Sequence, residues 1–231
     1  MKIKLWFASL FLVASPVCAL TQVSGGKAQT VVAYITQREA SYFEQAIKPL
    51  FEAQKGGCSC EIVNATPYNE QGALDWEALD KQLDSGFDNY KILFFDFNVR
   101  LNSDNQKILQ KLNNWASKGK AIVASAGVPA PSEPSSPLSR TLFGKVDKAF
   151  IVAELQRGER LHPKSFYGPE ILTALTPPRN AQGENLSSVV FVSRLAANIN
   201  RKGSAEWHDH MTNVKNQSRR LWPGLEELFG R

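Results

Sequence analysis

Apolar residues fall along this chain in two alternating rhythms: short continuous runs, and longer stretches in which they recur every three or four positions. TVVAYIT (30–36), CEIVNAT (60–66), KILFFDF (91–97), KAIVASAG (120–127), KAFIVAEL (148–155) and PEILTALTP (169–177) are of the first kind. Short runs rich in β-branched and aromatic residues read as strands buried on both faces. REASYFEQAIKPLFEAQ (38–54), LDWEALDKQLDSG (74–86) and SDNQKILQKLNNWASKG (103–119) are of the second kind and read as amphipathic helices. Pro49 is expected to bend or split the first of them, because proline brings no N–H to a helix interior. Glycines end all three, and a Ser103/Asp104 cap is expected to open the third. ENLSSVVFVSRLAANI (184–199) passes from strand-like to helical residue types and reads as one buried helix. The final stretch, 204–229, carries one or two amphipathic helices interrupted at Pro223-Gly224. PAPSEPSSPLS (129–139) is loop by its proline and serine content.

This alternation predicts an α/β fold: a single three-layer domain with a mainly parallel sheet of about six or seven strands and right-handed crossovers. In such a sheet a binding or catalytic site belongs at the carboxyl ends of the strands. The expected layout is an α/β domain over 30–203 and a helical tail over 204–231, with a flexible lead-in over 20–29. No internal repeat is visible.

The start of the chain changes the picture. MKIKLWFASLFLVASPVCA has a basic opening, an apolar run from Leu5 to Ala14 and a Val17-x-Ala19 ending. It reads as a secretory signal removed after Ala19, so the expected location is secreted or periplasmic. A retained anchor and a lipoprotein acylated at Cys18 are the weaker readings. No later run is long and apolar enough to span a bilayer, so no membrane association is expected after signal removal. Removing residues 1–19 takes two lysines and no acid, leaving 25 basic against 22 acidic side chains, or +3. That small, scattered excess does not point to nucleic acid. Cys58 and Cys60 are then the remaining cysteines. Their spacing leaves open a small Cys58–Cys60 disulfide loop, two free thiols, or a bond to another chain. No metal is expected: His208 and His210 in WHDH point to different faces of a helix, and no histidine neighbours the cysteines. No cofactor signature is present.

Five pieces, in order, resemble the subtilisin-like serine proteases (the subtilase fold, including the serine-carboxyl peptidases). VVAYITQ is similar to that family's strand ending at the catalytic Asp. KILFFDFN is similar to its Val-Ile-Asn-Met-Ser-Leu-Gly strand, and KGKAIVASAGV to its Ala-Ala-Gly-Asn strand. KSFYGPEILTALTPP is similar to its Ser-Asn-Tyr-Gly-Pro turn and following strand, and GENLSSVVFVSRLAA to its nucleophile helix. The resemblance covers most of the chain after the signal. It implies a protease scaffold with the catalytic roles altered.

Thr36 stands at the family's Asp and carries no charge to orient an imidazole. Val128 stands at the Asn whose amide stabilises the oxyanion; loss of such a donor costs about 10²–10³ in rate. The three later histidines, His162, His208 and His210, all lie far downstream of the family's His. No Gly-Thr-Ser occurs, and the nucleophile place falls on Asn185, Leu186 or Ser187 according to the register. A serine without a base to take its proton is a weak nucleophile. A replacement constellation would pair Ser187 or Ser188 with Glu39 or Glu44, giving an active serine hydrolase of altered mechanism. Asp96, an acid in an apolar strand, is either a functional carboxylate of raised pKa or a group accepting backbone hydrogen bonds at a strand end.

The groove-building frame is what the resemblance retains. FNVR (97–100) and SAGV (125–128) occupy the places that hold substrate in the family, making Phe97, Asn98, Val99, Ser125, Ala126 and Gly127 the candidate peptide-binding groove. The expected function is therefore an exported, non-catalytic protein binding a peptide or protein segment in a former cleft. The alternatives are the altered hydrolase and a domain whose tail docks a partner.

Overall fold

The computed structural model describes residues 30–127, 135–156, 160–162, 165–176, 186–202 and 207–230. Among these residues seven strands form one sheet: β1 (Thr30–Ile35), β2 (Cys60–Asn64), β3 (Ile92–Phe95), β4 (Ala121–Ser125), β5 (Phe150–Gln156), β6 (Arg160–Leu161) and β7 (Ile171–Leu175). The spatial order runs β2-β1-β3-β4-β5, with β7 parallel to β5 and the short β6 antiparallel to the end of β5. All other pairings are parallel, with Val32 beside Ile92 and Leu93 beside Ile122. The two-residue β6 has no apolar periodicity to announce it, since only Leu155–Leu161 and Gln156–Arg160 pair.

Six helices among the described residues cover the two faces. The first, α1 (40–54), is one continuous helical segment with a π-wound stretch, Phe43–Ile47, immediately before Lys48–Gln54. Pro49 explains the position of that stretch. It cannot donate to residue 45, and the chain accommodates the lost bond with a wide turn in which Lys48 N–H reaches the Phe43 carbonyl. The others are α2 (Trp76–Ser85), α3 (Gln106–Ser117), α4 (Leu186–Lys202), α5 (Trp207–Gln217) and α6 (Leu225–Phe229). Asp75 caps α2, its carboxylate accepting the Ala78 N–H at 3.0 Å. The cap expected from Ser103/Asp104 on α3 is corrected: Asn105 stands at the N-cap and makes no side-chain cap bond, and an Asn102/Asn105 turn precedes the helix. Asn102 Oδ1 accepts from Asp104 N–H and Asn105 N–H at 3.0 Å, and Asn105 Oδ1 accepts from Asn102 N–H at 2.9 Å. Asparagine amides make such local turns as readily as hydroxyls do.

Alternation along the strands divides the core into two layers. Val32, Tyr34, Ile92, Phe94 and Val123 face α1, α4, α5 and α6, meeting Phe51, Phe191, Leu195, Met211 and Leu228. Ala33, Ile35, Leu93, Phe95 and Ile122 face α2 and α3, meeting Leu79, Leu83, Leu112 and Trp115. Strands apolar on both sides follow from this sandwich of sheet between helices. The helices after residue 204 belong to the same core, since Met211 and Leu228 are completely buried in it.

Candidate functional site

Parallel strands bring their carboxyl ends to one rim, and in this protein the ends of β1, β3 and β4 meet there. Tyr34 on β1 and Thr36 just beyond its end are two apart and project to the face covered by α1 and α4; Asp96 follows Phe94 by two and shares that face. The three side chains touch. The Tyr34 phenol donates to Asp96 Oδ2 at 2.5 Å, and the Thr36 hydroxyl donates to the same oxygen at 3.0 Å. Thr36 Oγ1 in turn accepts the Arg38 N–H at 3.0 Å, while Thr36 N–H is donated to Thr66 Oγ1 at 3.0 Å.

Thr36 is fully buried and Asp96 is 3% exposed. Burial pushes the Asp96 carboxyl up to about 6, against the pull of the two hydroxyl bonds and the Arg38 charge. Burial first, and then the Asp96 charge, holds the Tyr34 phenol far above the ordinary tyrosine range. Asp96 accepts from two hydroxyls, and a backbone N–H at the strand end also favours its charged form. Tyr34 is the participant the sequence did not announce; its one signal is a phenol inside an otherwise apolar run. The rim thus holds a buried acid just past the end of β3, and Oδ2 of that acid is engaged by the hydroxyls of Tyr34 on β1 and Thr36 just beyond it.

His208 and His210 lie at the opposite rim. His208 stacks on Phe150, the first residue of β5, with ring centroids 5.4 Å apart, and His210 Nε2 is 3.0 Å from the Leu228 carbonyl. His162 is on the carboxyl side: its carbonyl accepts the Ser165 N–H at 2.8 Å. Beyond the end of β4, the Gly127 carbonyl accepts from Phe166 N–H at 3.3 Å and from Ser165 Oγ at 3.4 Å.

Ser187 and Ser188 sit in the first turn of α4, both 1% exposed. The Ser187 hydroxyl donates to the Leu175 carbonyl at 2.8 Å. Glu39 precedes α1 and is exposed; Glu44 is exposed and pairs with Lys48 at 3.1 Å. Both acids are thus exposed, whereas both serines are buried. Val128, Asn185, the signal expected over 1–19 and the lead-in expected over 20–29 lie outside the described residues.

The groove residues come together as a closed seam. Phe97, Asn98, Ser125, Ala126 and Gly127 are buried, while Val99 is half-buried. Gly127 takes a positive φ of 76°, and a Cβ there would lie 2.9 Å from Asn98 N and 3.0 Å from Asn98 Cβ. Strand ends in such contact leave no slot for a side chain between them. The segment after β3 is also paired along one edge. Leu142 N–H is donated to the Val99 carbonyl at 2.8 Å and Leu101 N–H to the Arg140 carbonyl at 3.0 Å, around an antiparallel Arg100–Thr141 bridge. On the other side the Arg100 carbonyl accepts from Asn105 Nδ2 at 2.9 Å. Asn98 Oδ1 accepts from Val99 N–H at 3.0 Å and Phe143 N–H at 3.4 Å, while its buried Nδ2 has no acceptor among the described residues.

Among the described residues no three His, Cys, Asp or Glu side chains converge as metal ligands, and no helix is long and apolar enough to cross a membrane.

Neither protein-family models nor curated proteins match this sequence. Solved structures do. A cold-adapted subtilisin-like serine proteinase superposes with a TM-score of 0.57 at 10% identity, over 83% of this chain and 82% of that one. A lanthipeptide protease gives 0.54 at 12% identity, over 88% and 79%. A protease from Pseudoalteromonas arctica gives 0.57 at 12% identity, over 86% and 85%. With its mostly parallel seven-stranded sheet between two helical layers, the chain has a subtilase-like fold.

Proposed function

We propose that this is an exported, non-catalytic protein of subtilase-like fold that binds an extended peptide or protein segment along the carboxyl rim. One observation carries the non-catalytic part: Thr36 stands at the end of β1, and its hydroxyl is donated to a buried Asp96 that Tyr34 also engages. A carboxylate that orients a general base needs an imidazole N–H as its donor. Asp96 Oδ2 receives two hydroxyl protons, and His208 and His210 sit at the far rim. The Ser187 hydroxyl is directed to the Leu175 carbonyl.

The binding part rests on the segment 97–100. It follows β3 at the carboxyl rim, where the subtilase fold holds substrate as an added strand, and Val99 and Arg100 form its accessible lip. An extended peptide can add to such an edge through main-chain hydrogen bonds. Because the Asn98–Gly127 seam is shut, recognition comes from main-chain pairing and from the lip at Val99 and Arg100, without a deep side-chain pocket.

The test has two arms. Purified protein is incubated with casein and with a fluorophosphonate probe; no cleavage and no labelling are expected. Labelling of Ser187 or Ser188 that disappears on mutation to Ala, or that requires His162, overturns the non-catalytic reading. In the second arm, amide hydrogen exchange is followed with and without unfolded casein peptides. Slower exchange confined to 97–101 is expected, and unchanged exchange there rejects the peptide site.

A further inference from the structure

The Cys58–Cys60 pair lies away from the carboxyl rim, at the amino end of the edge strand β2. We propose that it is a thiol–disulfide exchange site for a low-molecular-weight thiol, opening and closing while the domain stays folded. The two sulfurs are bonded, with Cα atoms 5.3 Å apart and one residue between them. A loop this short removes little freedom from the unfolded chain, so the bond is a weak brace. The neighbouring elements are held by other means. Cys60 is in register with Thr30 in the β1–β2 ladder, and Phe51 and Ile62 bury α1 and β2 in the core. Opening the bond therefore leaves both thiols facing each other, ready to close again.

The two sulfurs are not equivalent. Cys58 is partly exposed and follows Gly56 and Gly57, both at positive φ, whereas Cys60 is 1% exposed. Lys55, itself paired with Glu52 at 2.6 Å, donates its ammonium to the Cys60 carbonyl at 3.2 Å and ties the helix end to the buried cysteine. Because Cys58 also packs in part against the core, a small thiol has easier access to it than a protein surface does.

Exchange takes two steps in which atoms and electrons balance. A thiolate, RS⁻, attacks Sγ of Cys58; the S–S bond breaks and its electron pair leaves with Cys60, which takes up the proton lost by RSH. A second RSH, as thiolate, attacks the mixed disulfide at its R sulfur, giving RSSR and the Cys58 thiol. Two RSH are thus oxidised to one RSSR while the protein disulfide is reduced to a dithiol, and the reverse sequence re-forms it.

The experiment uses the protein in buffers of graded reduced-to-oxidised glutathione ratio, quenched with acid and alkylated for peptide mass analysis. Reversible conversion to the dithiol is expected without denaturant, with the far-UV circular dichroism unchanged. Cys60→Ser is expected to acquire one glutathione on Cys58, and Cys58→Ser to react at Cys60 about tenfold more slowly. The proposal fails if the disulfide resists glutathione until urea unfolds the chain, if reduction collapses the dichroism, or if the two single variants react equally fast.

Discussion

Asp96 shows what one buried acid imposes on a rim. Its carboxyl is raised from 3.8 to about 6, chiefly by burial, so the folded state binds its proton more tightly than the unfolded chain does. Stability linked to this group is therefore greatest below pH 4, falls as the pH rises from about 4 to 6, and stays reduced above that. The loss amounts to about 3 kcal/mol, since each tenfold change in proton affinity is worth about 1.4 kcal/mol. Asp96→Asn keeps an oxygen for the Tyr34 and Thr36 hydroxyls and carries no charge. Urea midpoints are expected to show the variant more stable than the parent at pH 7.5 and equal to it at pH 4; a variant weaker at pH 7.5 would contradict this account of the site. An acid in an apolar run was legible as unusual. Its partners were not, because Tyr34 and Thr36 lie about sixty residues earlier and reach it only through the β1–β3 pairing.

At the scale of elements, the strand ends matter more than the strands. β3 stops at Phe95 and β4 at Ser125, and the chain beyond each is pulled into the Asn98–Gly127 seam instead of lining an open slot. Gly127 is required twice over: its φ of 76° suits glycine, and its Cα approaches the Asn98 main chain too closely for any side chain. Gly127→Ala is expected to cost about 1–3 kcal/mol in urea unfolding, with Gly119→Ala, where a Cβ meets nothing within 4 Å, as a control that isolates the backbone part. Equal losses at the two sites would show that the close approach adds nothing. Pro49 illustrates the limit of local signals in the other direction. Its lack of an N–H foretold a break in α1, yet the helix continued through a wide turn because Phe43, Ile47 and Phe51 are all buried against the sheet.

For the whole molecule, the C-terminal helices are structural members and not an appendage. Met211 and Leu228 are fully buried, and the Thr173 hydroxyl donates to the Pro223 carbonyl. Met211→Ala is expected to lower stability by about 2–5 kcal/mol, measured by urea denaturation, as for other fully buried side chains; a change within about 0.5 kcal/mol would show the tail to be independent. The periodicity of apolar residues by itself determined six of the seven strands and the helices in their order, and the resemblance of five ordered segments implied the subtilase-like form of the sheet. Side-chain direction follows from local backbone geometry, so a burial rhythm can be read along the chain without knowing what lies across it. The closed seam, the acid shared by β1 hydroxyls and the placement of His208 and His210 at the far rim were decided only by tertiary structure. Each depends on where residues distant in sequence come within a few ångströms, and at that range burial and hydrogen-bond partners, not residue type, set what a side chain can do.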